Sequence, residues 1–206
     1  MCKNKNELAT ILAQAGNHLD DKNAVALPLY LSSNYRHPTL EQARNYDPKK
    51  EYTYSRIATP NRQAVEKTMT QLEDGNAAFA VSSGMAAIQL ALSFLKTGDH
   101  VISLDDLYGG DFRYFRYLQN HYGIDFSQWN GKSINELLAK ITAKTRLIWL
   151  ETPSNPMMKT LDIEKNSPGC SPEVPDVLLA VDNTFFNTCL STPTRARGRY
   201  RGSFSY

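Results

Sequence analysis

No stretch of this 206-residue chain stays apolar long enough to span a bilayer. Met1–Asn6 has no hydrophobic segment behind a basic start, so no secretory leader is expected either. Cysteine is scarce. Cys2, Cys170 and Cys189 share no metal-like or redox spacing, and an odd, scattered set fits free thiols better than a disulfide framework. His18, His37, His100 and His121 are equally dispersed, so no metal is expected. Excess charge of one sign is missing as well: the formal charge is +2, which points to neither a nucleic-acid partner nor an acidic substrate. What remains, at 41% apolar and 21% charged residues, is the composition of a soluble globular protein, placed here in the cytoplasm.

The first quarter of the chain carries weak patterns. Asn6–Ala15 reads as a short helix through Leu8, Ile11 and Leu12. Val25–Tyr30 is a brief apolar segment broken by Pro28, and Ser32 to Lys50 is polar and irregular, an extended arm. Pro60 blocks helix on its N-terminal side. From Gln63 to Leu72 the residues Val65, Met69 and Leu72 recur at helical spacing, and Asp74-Gly75 stops the run.

A regular alternation follows. Phe79–Val81, His100–Leu104, Arg146–Leu150 and Val177–Val181 read as short strands, and Met85–Leu95, Phe112–His121 and Ile134–Lys140 as helices. Wholly apolar strands alternating with helices predict an α/β fold with a mostly parallel sheet covered on both faces. In such sheets ligands gather at the carboxyl ends of the strands.

Four strand ends carry unusual residues. At Ser82-Ser83-Gly84-Met85 a sharp turn enters a helix, leaving unpaired N–H groups and a positive dipole end that suit a phosphate; an ordinary strand-to-helix connection has the same look. Tyr108, just before Gly109 and Gly110, is placed either to stack on a planar ligand or to cap the edge of the core. In Glu151-Thr152-Pro153-Ser154-Asn155-Pro156 two prolines stiffen the loop around the Asn155 amide. Asp182 ends a wholly apolar strand, where an acid caps a turn or meets a cationic or N–H partner. A phosphate cup, a stacking ring, an orienting amide and a buried acid together suit pyridoxal phosphate, whose ring nitrogen calls for an acidic partner.

The segments YTYSR (Tyr52–Arg56), SSGMAAI (Ser82–Ile88), DDLYGG (Asp105–Gly110), ETPSNP (Glu151–Pro156) and AVDNTF (Ala180–Phe185) resemble those of the Cys/Met-metabolism enzymes that use pyridoxal 5'-phosphate. These are the cystathionine γ-synthases, the cystathionine β- and γ-lyases and their kin. The resemblance implies a fold-type I, aminotransferase-like cofactor domain. It implies that Gly84 and Met85 hold the cofactor phosphate, with Ser83 beside them. Tyr108 stacks on the ring in the catalytic centre, Asp182 pairs with the ring nitrogen with Thr184 nearby, and Asn155 contacts the ring hydroxyl and the substrate carboxylate region. It further implies that Tyr54 and Arg56 reach the phosphate of a neighbouring subunit, so that a homodimer or homotetramer is the working form. The substrate class is a sulfur amino acid such as cystathionine or an O-acylhomoserine, attacked at Cβ or Cγ. Asp111 departs from the threonine often found after YGG.

The resemblance also requires a Schiff-base lysine roughly 25 residues after the aspartate, just after Tyr206, and no lysine follows Lys165. The expectation is a truncated relative of these trans-sulfuration enzymes, inactive as it stands; the alternative is a non-catalytic remnant that binds the cofactor weakly or serves as an interaction fragment. Residues 1–50 form an N-terminal arm and 51–206 an incomplete cofactor domain, with the C-terminal domain absent. Gly198–Tyr206 can be encoded so that a one-base shift reads Val-Asp-Ile-Val-Val-His-Ser-Ala-Thr, which predicts a frame change; Asn166–Pro172 is read as a second one. An arginine/glycine tail that binds nucleic acid is the rival reading of residues 195–201.

Overall fold

The computed structural model describes residues 5–17, 20–47, 51–163, 177–185 and 200–204. Of the two segments assigned to a frame change, residues 166–172 fall outside them and Gly198–Tyr206 is described only at 200–204. The chain divides into two compact units, residues 1–80 and 81–206.

In the first unit, helix α1 (Lys5–Ala13) packs against α3 (Pro60–Glu73). Leu8 is buried, as are Ala64 and Leu72. The start of α3 follows from its sequence: the Thr59 hydroxyl accepts from the Arg62 N–H at 3.2 Å and Pro60 takes the first helical position, where a missing N–H costs nothing. Asp74 ends it in the left-handed region (φ 56°), its N–H bonded to the Thr70 carbonyl. The polar stretch expected to be an irregular arm contains a five-residue helix, α2 (Leu40–Arg44), nucleated by the Thr39 hydroxyl accepting from Gln42.

The second unit is a parallel sheet with helices. Helix α4 (Gly84–Leu92) precedes strand β1 (His100–Leu104), then come α5 (Gly109–Tyr122), β2 (Asp125–Trp129), α6 (Ile134–Lys140), β3 (Thr145–Glu151), β4 (Leu178–Asp182) and β5 (Tyr200–Phe204). The strand order is β2-β1-β3-β4-β5, and every pairing is parallel. Consecutive residues Val101 and Ile102, and Leu147 through Leu150, are all buried. Because neighbours on a strand point to opposite faces, both faces of the sheet are covered. Right-handed crossovers give the same answer: β1 to β2 runs one way along the sheet and β2 to β3 runs back, which puts α5 and α6 on opposite faces.

Two readings change. Phe79–Val81 is not a strand: the segment has no paired neighbour and Phe79 is exposed. The Ala80 N–H goes instead to the Glu66 carboxylate at 3.1 Å. Apolar composition suggested a strand there, but a strand also needs a partner. Strand β2 was not anticipated, because DFSQW is a polar edge strand with only Trp129 buried. Among the described residues no helix is long and apolar enough to cross a membrane.

Candidate functional site

The chain leaves β1 toward β2 and leaves β3 in the opposite direction, toward β4. The sheet therefore has its switch point between the carboxyl ends of β1 and β3, where a crevice opens. The loops that end these two strands are tied together. Asp106 accepts from the Ser154 hydroxyl and, at 3.2 Å, from the Met157 N–H. Lys159 pairs with Asp105 at 3.1 Å and donates its backbone N–H to the Ser154 hydroxyl at 3.0 Å. The peptide bonds before Pro153 and Pro156 are both cis. This framework holds Asn155, half-buried, on a loop braced from both sides.

The start of α4 is a capped helix N-terminus. The Ser83 hydroxyl accepts from the Ala86 N–H at 3.2 Å, and Ala87 closes the first turn onto the Ser83 carbonyl. The N–H groups of Gly84 and Met85 point out of the helix end, where the dipole favours negative charge. Tyr108 caps α5, and its ring lies against Gly110 and Met85: a Cβ added at Gly110 would fall 2.2 Å from Tyr108 Cε1 and 2.8 Å from Met85 Sδ. The helix starts of α4 and α5 are thus brought together, and only glycine leaves room for the ring. We expect Gly110→Ala to expel the Tyr108 ring and cost about 1–3 kcal/mol by overpacking, measured by urea denaturation. A cost below about 0.5 kcal/mol would show that the ring does not need the space.

Beneath these lies a cluster of acids. Glu151 and Asp182 are register partners at the ends of β3 and β4, so their side chains share one face, and Trp149, two residues before Glu151, shares it too. From α5 the carboxylate of Asp111 accepts from the Trp149 indole N–H at 3.1 Å. All three acids are buried. They differ in their donors. Asp182 receives the Thr184 N–H at 3.0 Å and the Thr184 hydroxyl on one oxygen. Glu151 receives the Tyr108 N–H at 2.7 Å. Asp111 has the indole on Oδ2, while its buried Oδ1 has no hydrogen-bond partner among the described residues.

Burial, reinforced by the Asp182 charge and opposed by the indole bond, pushes Asp111 up to about 7. Burial likewise pushes Glu151 up to about 8, with the Tyr108 N–H opposing and the charges of Asp182, Asp111 and Asp106 adding to it. Burial raises Asp182 too, against the two Thr184 donors. A positive group meeting Asp182 would offset the burial of all three.

Of the residues singled out in the sequence, Ser83, Gly84, Met85, Tyr108, Asn155, Asp182 and Thr184 lie in the second unit, at the starts of α4 and α5 or just past β3 and β4. Tyr54 and Arg56 lie in the first, where Tyr54 bridges to Asn34 and the exposed Arg56 guanidinium sits 4.9 Å from the Tyr54 ring centre. Sequence reasoning assigned no part to Asp111, Glu151 or Asp106. Acids just inside or beside apolar strand ends were the available signal.

A family model described as Cys/Met metabolism PLP-dependent enzyme matches residues 9–196. The chain is 39% identical over 185 residues to a cystathionine gamma-synthase/O-acetylhomoserine (thiol)-lyase of Bacillus subtilis, covering 89% of this chain and 48% of that protein. It is 36% identical over 189 residues to a cystathionine gamma-lyase of Saccharomyces cerevisiae, covering 91% and 46%. The crystal structure of a cystathionine gamma-lyase from Lactobacillus plantarum complexed with L-serine superposes with a TM-score of 0.80 at 34% identity, over 90% of this chain and 47% of that one. The chain spans about half the length of the curated relatives it matches. Nearly its whole length falls inside one family's pattern, and on that ground the chain belongs to the Cys/Met-metabolism family of pyridoxal-phosphate-dependent enzymes.

Proposed function

We propose that the second unit binds pyridoxal 5'-phosphate and that the protein's chemistry is trans-sulfuration, the cleavage or exchange of the Cβ or Cγ substituent of a sulfur amino acid. The observation that carries this reading is Asp182, a buried acid with two hydrogen-bond donors on one oxygen, beside a helix start and a ring seated on glycine. The residues present fit the cofactor. The N–H groups of Gly84 and Met85 would receive its phosphate, with Ser83 fixing the helix end. Tyr108 would cover the ring, Asn155 would orient its hydroxyl, and Asp182, held by Thr184, would meet the protonated ring nitrogen. When bound, the cofactor supplies an electron sink for charge developing on the substrate carbon. The chain's own part is to keep that nitrogen protonated, because an ionised carboxylate in a buried site stabilises the cation it faces.

The names of the relatives support cystathionine or an O-acylhomoserine as the substrate class. Tyr54 and Arg56 would complete the phosphate site of a second subunit in a homodimer or homotetramer, arginine suiting phosphate by its forked donors. A cytoplasmic setting agrees with this metabolism. A cofactor binder without catalysis is the second reading. Borohydride reduction separates the two: cofactor fixed covalently to a lysine supports the enzyme, and loosely held cofactor supports the binder.

Absorbance titration with pyridoxal 5'-phosphate tests the site. Asp182→Asn should weaken binding roughly 10- to 100-fold, the loss of one charge-assisted bond. Equal affinity of the variant and the parent would remove Asp182 from the site.

A further inference from the structure

Three buried acids share one face of the sheet, and the reading above uses only Asp182. Asp111 stands out among them because it is wholly enclosed and its Oδ1 has no hydrogen-bond partner among the described residues. An ionised oxygen there, shut off from bulk solvent, would have no donor from the described residues to stabilise it, so the proton belongs on Asp111 while the site is free of cations. Donor count places the negative charge elsewhere. Two Thr184 donors hold it on Asp182, whereas Asp111 has a single neutral donor, the Trp149 indole.

The groups that set this balance come from each element around it. β4 brings Asp182 and β3 brings Glu151, with Asp106 beyond Glu151 in the loop after β1. α4 carries no ionisable residue. On α5 itself, Asp111 lies in the first turn, where the helix dipole favours its charged form, and the Arg113 guanidinium lies by Gly109. No described basic group contributes to the charge balance at Asp111. The cluster therefore has room for one positive charge.

We propose that Asp111 is a positioning residue for the cofactor ring, neutral in the ligand-free chain and ionising when a protonated ring nitrogen meets Asp182, so that ring binding is coupled to release of a proton from Asp111. The coupling balances: the ring arrives with its N–H⁺, the Asp111 Oδ1–H bond breaks, and the proton leaves to solvent. With both acids charged, two carboxylates hold the ring in its protonated form. Asp111 and Asp182 feel each other's charge, and the effect of Asp111 reaches the ring through Asp182. The inference rests on the reading of this pocket as a pyridoxal-phosphate site.

The test compares the full chain with Asp111→Asn, which keeps an oxygen for the indole N–H and fixes the neutral state. Affinity for pyridoxal 5'-phosphate is measured by absorbance titration across pH. Titration of the phosphate and of the free ring is common to both proteins, so the ratio of their affinities isolates Asp111. The ratio should be near one at about pH 6 and rise to about tenfold in favour of the parent by about pH 8.5. Calorimetry in two buffers of different ionisation enthalpy should show the parent releasing more protons than the variant near pH 7. A ratio that stays flat with pH, with binding intact, overturns the proposal alone. Failure of both proteins to bind overturns it together with the cofactor reading. A third measurement needs no cofactor: the parent should lose more stability than Asp111→Asn between about pH 4 and 7, and parallel profiles overturn the proposal.

Discussion

Replacing Trp149 with alanine should destabilise the second unit by about 4–5 kcal/mol, enough to unfold much of the population at ordinary temperature. The indole is completely buried in the centre of β3, and it meets Phe115 of α5 edge-on at 5.8 Å. Phe115 in turn stacks on Phe126 of β2 at 4.7 Å. Removing the indole leaves a cavity under α5 and deletes the donor to Asp111 Oδ2, so a hydrophobic and a polar loss add. Trp149→Phe keeps most of the volume and discards only the N–H, and its cost should be nearer 2 kcal/mol. Urea denaturation followed by far-UV circular dichroism measures both. Equal costs for the two variants would mean that the N–H bond to Asp111 alone matters at this position. A loss under about 1.5 kcal/mol for the alanine variant would mean that Trp149 is not part of the core.

The strands that carry the site were legible because burial on both faces forces an unbroken apolar run. HVISL and RLIWL could hardly be anything else, and they coincide with β1 and the body of β3. Helix α6 was found at its observed bounds, and α3 was bracketed by Pro60 and Asp74. Strand β2 escaped because an edge strand need bury little, and Asp125, Ser127 and Gln128 hide its period. Phe79–Val81 failed for the converse reason: its residues favour a strand, but pairing is a property of neighbours and not of the segment. The site shows the same division. Gly84 lies in a short motif at a helix start, and Tyr108, Asn155 and Asp182 in short motifs at strand ends, where a linear reading picks them out as candidates. Asp111, Glu151 and Trp149 act together only because register and the α5 crossover bring positions 111, 149, 151 and 182 to one face. No local pattern encodes that meeting.

The ligand-free protein should lose stability as pH rises from about 4 to about 8, the opposite of ordinary acid denaturation. The sign follows from the acids. Asp111 stands at about 7 in the folded chain against 3.8 when exposed, and Glu151 at about 8 against 4.5. Between those limits the folded state binds more protons than the unfolded state, so the stability these groups contribute is complete below about pH 4 and lost as pH passes the folded values. A shift from 3.8 to about 7 at one enclosed carboxyl corresponds to on the order of 4 kcal/mol. His100 works the other way: burial lowers it, so it favours the folded state as pH rises through the usual histidine range, and the low-pH end is flattened. Glu151→Gln should flatten the high-pH end, because the amide cannot ionise and still accepts the Tyr108 N–H. Chemical denaturation at fixed pH values across this range gives the profile. A parent whose stability rose steadily to pH 8 would show the cluster already ionised in the folded chain. Its buried charges would then need cationic partners other than a ring nitrogen.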